Sequence, residues 1–273
     1  KNTEKKAYQG MSEIGEDQNT EVENKDNSQY IDMDLAKDIE TYFQENGIDH
    51  EKVAYCITDL EHNIKYSMNE KDEFIAASIY KLPLAMLYYD KVNDGEYTLD
   101  STFTYSGYMH EDAGVVSSNY GIGSQIPLSD LLDDLIEYSD NDAGHILYEN
   151  LGGWKEYKEA MTKYTDSISE NYYTEDNVST ANTMNDVVTY LYEHKEDYKD
   201  LIENMEKAEP GEYLDRDTQL SMPQKYGMYD SALNSVGFVE CNTPYSIVVL
   251  TDLGDKGADV MANINRIAYE HFK

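Results

Sequence analysis

The sequence predicts an α+β protein, an α/β sandwich in which an antiparallel sheet of about five strands is flanked by helices. Two observations carry this prediction. Strand-like runs fall near the two ends of the folded part, at 53–68 and 224–252, and segments of helical period fill the region between them. Because separated strands can still share one sheet, this segregation indicates an all-helical insertion between the two halves of a sheet.

We expect one folded domain at 31–273, with a sheet part at about 31–75 and 220–273 and a helical part at about 76–219. Residues 1–30 are rich in charged and amide side chains and poor in apolar ones. Such a segment buries too little surface to offset its ordering entropy, so it is predicted to be a flexible acidic tail.

The N-terminal half of the sheet is predicted from a helix followed by a β-hairpin. Apolar residues recur at helical spacing from Met33 onward, and Gly47 ends the run. Residues 53–60 and 64–68 then predict two strands, which a turn at 61–63 joins.

The central region predicts mostly helices and one loop-rich stretch, at 96–127. The apolar run 74–92 predicts a helix in which Pro83 causes a local irregularity. Ser129 is predicted to be the N-cap of the next helix, which ends near Tyr138. Two further helices are predicted at 143–151 and 185–192.

The C-terminal region predicts the remaining strands and a closing helix. Alternating and β-branched residues predict strands at 224–229, 235–240 and 245–252, and helical period returns at 258–272.

Composition excludes several classes of partner. The chain carries 55 acidic and 21 basic residues, a net charge of −34. We therefore expect no nucleic-acid partner, because phosphates demand Lys and Arg, and little adsorption to anionic lipid. No run approaches the roughly 20 apolar residues of a membrane helix, so no integral membrane segment is expected. The chain lacks an initiating Met, which leaves open that an export signal was removed.

Two cysteines, Cys56 and Cys241, lack the spacing typical of metal ligands. Two buried thiols and one disulfide are equally compatible with the sequence. We expect no metal and no cofactor.

Ser78 and Lys81 lie three residues apart in the apolar run. In a helix this spacing puts both side chains on one face, with Ser78 in the first turn, where free N–H groups favour a developing anion. A serine needs a neighbouring base to become a nucleophile, and a buried lysine with a lowered pKa can be that base. The tetrad alone is more typical of an ordinary helix start than of a catalytic pair.

Two more motifs follow in order, namely Ser139-Asp140-Asn141 and Lys225-Tyr226-Gly227. Together with Ser78-Ile79-Tyr80-Lys81, they resemble the three motifs of class A β-lactamases and penicillin-binding proteins. The resemblance covers roughly residues 35–273 and implies a β-lactamase/transpeptidase-like fold.

The resemblance also implies roles. Ser78 would attack a carbonyl carbon, Lys81 would accept its proton and Ser139 would relay a proton to the leaving group. Asn141 would hold the substrate amide, and Lys225 would attract a substrate carboxylate. Tyr226 and Gly227 would contribute to substrate binding. The N–H groups of Ser78 and Met228 would form the oxyanion hole. Taken alone, the second motif is equally compatible with a helix cap and Lys225 with a surface lysine.

The sequence departs from the family in two places. Residues 163–180 lack the glutamate and the Leu-Asn pair that activate the deacylating water in class A enzymes. Glu170 and Glu175 are present without that context, and we predict that both are solvated carboxylates. Tyr226 replaces the usual Thr or Ser, and neither Arg216 nor Arg266 lies on the third-motif strand or its partner.

We therefore expect a secreted or envelope-anchored serine hydrolase or acyltransferase that acts on an amide, peptide or ester outside the cell. Its partner would be a small-molecule or peptide substrate, β-lactam-like or cell-wall-like, and the protein would be a monomer. Two alternatives are a true β-lactamase with a recruited base, Glu170 or Glu175, and a non-catalytic binding or sensor module.

Overall fold

The computed structural model describes residues 25–107 and 114–273, with side chains from residue 34 onward. Residues 1–24 of the predicted tail at 1–30 lie outside the described residues. Residues 25–30 belong to the first helix, which therefore begins earlier than the Met33 that the sequence predicts.

The helices are α1 (Lys25–Glu45), α2 (Lys81–Asn93), α3 (Val115–Asn119), α4 (Leu128–Glu137), α5 (Asn141–Asn150), α6 (Trp154–Ala160), α7 (Ala181–Glu193), α8 (Lys199–Glu206) and α9 (Lys256–Phe272). The strands are β1 (Val53–Asp59), β2 (Ile64–Met68), β3 (Phe74–Ile75), β4 (Thr102–Thr104), β5 (Gln125–Pro127), β6 (Val178–Ser179), β7 (Gln224–Tyr229), β8 (Ala232–Val239) and β9 (Tyr245–Thr251). Four 3-10 turns lie at His50–Lys52, Ala77–Tyr80, Met161–Tyr164 and Lys195–Tyr198.

The predicted sheet is confirmed. Five antiparallel strands lie in the order β2-β1-β9-β8-β7, so the C-terminal strand β9 pairs with β1 from the other end of the chain. Strands β1, β8 and β9 are buried along their whole length, because helices cover both faces of the sheet. Strand β7 is an edge strand, and one of its sides has no partner in the sheet.

Alternation along the strands sorts the core into two layers. Tyr55 and Ile57 of β1 pack in one hydrophobic cluster with residues of α1 and α9. Ala54 and Cys56 pack in the other, with α2, α7 and the central helices. The second cluster continues into the helical part, so the sheet and the insertion share one core.

The helical part also contains two short β pairs, β3 with β6 and β4 with β5. The pairing of β3 with β6 sets Ile75 opposite Val178. This pair joins the segment before Ser78 to the segment after the long loop at 165–177.

Three local predictions need correction. Ser129 is not an N-cap, because α4 begins at Leu128, and the first two N–H groups of α4 are satisfied by carbonyls of the preceding loop. Strand β8 begins at Ala232, earlier than the predicted residue 235. The irregularity expected at Pro83 lies one turn earlier, where a 3-10 turn precedes α2, and Pro83 itself lies in the first turn of α2, where proline is tolerated.

Both cysteines are free thiols, Cys56 buried and Cys241 partly exposed. None of the helices described here is long and apolar enough to cross a membrane.

Candidate active site

Ser78 lies in the 3-10 turn at Ala77–Tyr80, between strand β3 and helix α2. The residue before it, Ala77, has φ = +53°, in the left-handed region that costs a non-glycine residue about 1–2 kcal/mol. Such strain persists only where the surroundings fix the backbone. The turn therefore holds Ser78 in an imposed orientation.

Two buried or half-buried asparagines fix this turn. Asn177 donates from Nδ2 to Ala77 O at 2.8 Å, and its own carbonyl accepts from Ala76 N at 2.9 Å. Asn234 on β8 donates from Nδ2 to Ile75 O and Ala76 O, both at 2.9 Å. Asn234 on the sheet and Asn177 in the long loop thus hold the turn that carries Ser78 from two sides.

Lys81 is the first residue of α2, and its side chain is completely buried. Its Nζ donates to Ser139 O at 2.6 Å, to Ser139 Oγ at 3.1 Å and to Asn141 Oδ1 at 2.7 Å. Burial lowers the pKa of Lys81 to about 7, and the Asp140 carboxylate opposes that shift. Lys81 can therefore exchange a proton near neutral pH.

The second motif occupies the turn between α4 and α5. Ser139 has φ = +53°, and Asp140 is the N-cap of α5. The Asp140 carboxylate accepts from Ala143 N at 2.9 Å and from Val116 N at 3.1 Å. The middle residue of the motif is thus a structural cap, and it turns its neighbours Ser139 and Asn141 toward Lys81.

Lys225 on β7 reaches the same hydroxyl from the sheet side. Its Nζ donates to Ser139 Oγ at 3.0 Å and to Tyr226 O at 2.6 Å, and its side chain is completely buried. Burial, and then the neighbouring Lys81 amine, hold the pKa of Lys225 well below its usual range. Ser139 Oγ therefore accepts hydrogen bonds from two amines, and their mutual repulsion makes it unfavourable for both to be protonated at once.

Tyr226 does not offer its hydroxyl in the way that the usual Thr or Ser would. Its ring stacks on Tyr213, with centroids 4.7 Å apart and an interplanar angle of 18°. The Lys225 amine lies 4.2 Å from the centroid of the same ring. Burial raises the pKa of Tyr226 to about 12, so the phenol stays neutral.

Gly227 lets strand β7 approach Ser78. A Cβ at this position would lie 2.7 Å from Ser78 N and 2.8 Å from Ile79 N, closer than any side chain can be. The next residue, Met228, lies on the open edge of the sheet, where N–H groups lack strand partners. Its side chain is 55% exposed.

A groove runs over Ser78. Of the predicted site residues, Ser78, Asn141 and Met228 line it, whereas Lys81, Ser139, Lys225, Tyr226 and Gly227 lie behind or beside it. Its other walls include Ile75, Tyr80, Tyr148, Trp154, Glu175, Asp176, Asn177, Val178 and Tyr229.

The two candidate glutamates line different cavities. Glu175 is exposed and lines the groove beside Asp176, whereas Glu170 lines a different depression, with Asp72 and Asp166. Of the two alternatives for a recruited base, only Glu175 shares a cavity with Ser78.

Sequence reasoning missed Lys158, which organises the loop that carries Glu175. Its buried Nζ donates to Tyr172 O at 2.5 Å, Thr174 O at 2.8 Å and Asp176 O at 2.6 Å. Asn177 and Asn234 were missed as well. The one available signal was Asn234, a polar residue in a strand whose other residues are mostly apolar.

The geometry can support proton transfer. One hydroxyl, Ser139 Oγ, lies within hydrogen-bonding distance of both buried amines, and Lys81 follows Ser78 by one turn. Across the described ranges, no three His, Cys, Asp or Glu side chains converge as metal ligands do.

Comparison with known proteins identifies the fold and the family of this chain. A model of the beta-lactamase enzyme family matches residues 34–272. The solved structure of TLA-3 extended-spectrum beta-lactamase superimposes with a TM-score of 0.75 at 20% identity, over 88% of this chain and 98% of that one. A beta-lactamase from Chitinophaga pinensis gives a TM-score of 0.70 at 20% identity, over 88% and 98%.

A mutant of PBP-A, solved as an acyl-enzyme complex with penicillin G, gives a TM-score of 0.74 at 16% identity, over 88% of this chain and 96% of that one. The fold is therefore β-lactamase/transpeptidase-like, as the motifs imply. Because the family match spans nearly all of the described residues, the chain belongs to the beta-lactamase enzyme family.

Proposed function

We propose that this chain is a serine hydrolase or acyltransferase that works through a Ser78 acyl-enzyme on an amide, peptide or ester, and that it is not an efficient β-lactamase. One observation carries the proposal. A buried lysine whose pKa is about 7 follows Ser78 by one turn and shares Ser139 Oγ with a second buried lysine, beneath an open groove.

In the proposed reaction, Ser78 Oγ attacks the substrate carbonyl while neutral Lys81 accepts the hydroxyl proton, directly or through water. The oxyanion lies between the N–H groups of Ser78 and Met228. The tetrahedral intermediate then collapses, and Ser139 passes a proton to the leaving nitrogen or oxygen. Asn141 holds the substrate amide at the mouth of the groove.

The slow step is proposed to be deacylation. Among the groove residues that the structure describes, the carboxylates are Glu175 and Asp176, and both are exposed. A solvated carboxylate does not hold one water over an ester as a buried base does. The acyl-enzyme therefore forms readily and clears slowly.

The test is covalent labelling. The protein is incubated with a fluorescent penicillin and, separately, with a fluorophosphonate, and intact mass and peptide mapping locate the adduct. We expect a single adduct on Ser78, and none in Ser78→Ala, whose folding is verified by thermal unfolding. No adduct on Ser78 with either probe would exclude the proposed mechanism.

A true β-lactamase is the second candidate, because Glu175 lines the groove over Ser78. With a chromogenic cephalosporin this candidate predicts rapid multiple turnover that Glu175→Gln lowers at least tenfold. Glu170→Gln, in the neighbouring depression, is the matched control. Our proposal predicts a stoichiometric burst followed by slow release, unaffected by either substitution.

We further propose that the protein acts as a monomer outside the cell, secreted or anchored to the envelope. An amide or peptide substrate from cell-wall material would be met there. Fractionation of cells that express the full-length gene product, followed by labelling of Ser78 in each fraction, tests the location. Sedimentation velocity at several concentrations tests the monomer.

A further inference from the structure

The rim of the groove is unusually apolar for a surface. Ile75 is 44% exposed, Met228 55% and Tyr229 66%. They account for half of the six large hydrophobic side chains that are exposed in the described part of the chain. Ile75 lies on β3 before Ser78, and the other two lie on β7 after Gly227. Exposed apolar side chains gathered at one cavity mark a binding surface.

The charged side chains that line the same groove are acidic. Glu175 and Asp176 are both exposed there. The two amines nearest to Ser78, on Lys81 and Lys225, lie behind the surface, where each is buried and already donates to protein acceptors. Anionic groups at the mouth and no free cation in its described walls repel a substrate carboxylate.

The two arginines form hydrogen bonds with residues outside the groove. Arg216 bonds Asp217 at 2.9 Å and Asp259 at 2.8 Å, and Arg266 bonds Asn263 on α9. Neither lines the groove.

The third motif supports the same conclusion. Tyr226 lays its ring over the buried Lys225 amine, 4.2 Å from the ring centroid, and neither residue lines the groove. A carboxylate in the groove therefore loses part of its hydration and finds no cationic donor among the residues that line it.

We propose that this site selects uncharged acyl groups, namely those of esters or amides of apolar or aromatic acids, and discriminates against acyl groups that carry a carboxylate. The inference rests on the proposed acylation of Ser78. The carbonyl carbon forms a bond to Ser78 Oγ, and the bond to the alkoxide or amine breaks as that group takes up the serine proton. Water then cleaves the acyl ester and yields the free acid.

A matched pair of esters tests this selectivity. p-Nitrophenyl hexanoate and mono-p-nitrophenyl adipate have the same leaving group and acyl chain length, and only the adipate carries a terminal carboxylate. We expect kcat/KM for the hexanoate to exceed that for the adipate by at least tenfold, after subtraction of the rate with Ser78→Ala. In the double variant Glu175→Gln, Asp176→Asn, we expect the ratio to fall at least threefold.

The apolar rim has its own control. Tyr229→Ser is expected to lower kcat/KM for p-nitrophenyl hexanoate at least threefold and that for p-nitrophenyl acetate less than twofold. Ile122→Ser removes an apolar side chain that is more exposed, at 76%, and does not line the groove, and it should change neither value.

The outcomes separate the two proposals. Acylation of Ser78 with equal or better use of the adipate would overturn the selectivity and leave the proposed function standing. A complete absence of acyl-Ser78 with both esters would overturn both.

Discussion

In the proposed mechanism, the protonation state of Lys81 controls the attack of Ser78 on the substrate. Its Nζ has three acceptors in the second motif, and burial lowers its pKa to about 7. A protonated amine cannot accept the Ser78 proton. The pH dependence of acylation therefore reports on this one residue.

We predict that the rate at which a fluorophosphonate phosphonylates Ser78, with release of fluoride, rises with pH and levels off above about 7. Below that pH, the neutral fraction of Lys81 falls about tenfold per unit, and the rate should follow it. Stopped-flow labelling between pH 5.5 and 9 measures the profile.

Lys81→Arg is the control, because guanidinium stays charged throughout this range. Its acylation rate should be lower by about 100-fold or more and should not rise around pH 7. A wild-type profile that is flat from pH 5.5 to 9 would contradict the role of Lys81 as base.

Gly227 carries a second residue-scale prediction. A methyl group there would meet the backbone nitrogens of Ser78 and Ile79 at 2.7 and 2.8 Å, and backbone cannot swing aside. We predict that Gly227→Ala destabilises the fold by about 1–3 kcal/mol through overpacking and slows acylation at least tenfold by displacing the Ser78 N–H.

Urea unfolding and labelling of Ser78 measure the two effects. Gly121→Ala is the matched control, since its nearest neighbour, Ser124 Oγ, would lie 3.8 Å from the new methyl group. Wild-type acylation by Gly227→Ala would show that β7 is not fixed against the nucleophile turn.

At the scale of elements, the part of the long loop at 165–177 that lines the groove is held by Lys158 of α6. Lys158 donates to three of its carbonyls, and the rings of Trp154 and Tyr172 lie 5.2 and 5.1 Å from the ammonium. The loop in turn supplies Glu175, Asp176 and Asn177 to the groove. One buried cation thus organises an entire wall of the site.

We predict that Lys158→Met lowers the free energy of unfolding by about 2–3 kcal/mol, because one buried and two partly buried carbonyls lose a donor. It should also raise KM for ester substrates more than it lowers kcat, and amide hydrogen exchange should accelerate in 172–176. Lys155→Met, on the exposed side of the same helix, should leave all three quantities unchanged. If Lys158→Met kept wild-type stability and slow hydrogen exchange in 172–176, the loop would not depend on Lys158.

The elements that the sequence predicts best are those with strong period or an unambiguous turn. The hairpin of β1 and β2, the long strand β9 and helix α9 follow from local pattern alone. Ser78, Lys81, Ser139, Asn141 and Lys225 could be singled out because three motifs occur in a fixed order. Their proximity required the tertiary fold.

Other features had no local signal. The 3-10 turn at Ser78 exists because Asn177 and Asn234, about 100 and 156 positions further along the chain, hold Ala76 and Ala77 in place. Lys158 looks in sequence like any lysine of a charged helix. The start of α4 at Leu128 depends on carbonyls of the preceding loop. Contacts between residues that are not neighbours in sequence decided each of these, and the local pattern of residue types does not show such contacts.

At the scale of the whole molecule, the excess of negative charge opposes folding. The net charge is −34, and like charges repel more strongly in the compact state than in the open chain. The helix α4 shows the effect locally. Burial, and then the carboxylates of Asp140, Asp130, Asp133 and Glu137, raise the pKa of Asp134 to about 7.

An acid whose folded-state pKa is raised favours the folded protein only while it is protonated. Between its unfolded pKa near 4 and its folded pKa of about 7, the native state binds the extra proton, so stability falls as pH rises through this window. We therefore predict that, between pH 5.5 and pH 8, the free energy of unfolding of the wild type falls relative to that of Asp134→Asn, measured by urea titration of both proteins in 20 mM salt.

Two comparisons isolate the cause. Asp134→Asn cannot ionise, so it should reduce the difference between the two pH values, whereas Asp100→Asn, a carboxylate outside this cluster whose residue is exposed, should not. Raising NaCl to 300 mM should stabilise the protein more at pH 8 than at pH 5.5, because the Debye length shrinks below the spacing of many surface charges. The same pH dependence of stability in the wild type and in Asp134→Asn, with no response to salt, would mean that repulsion among the 55 acidic side chains is balanced locally and does not limit the fold.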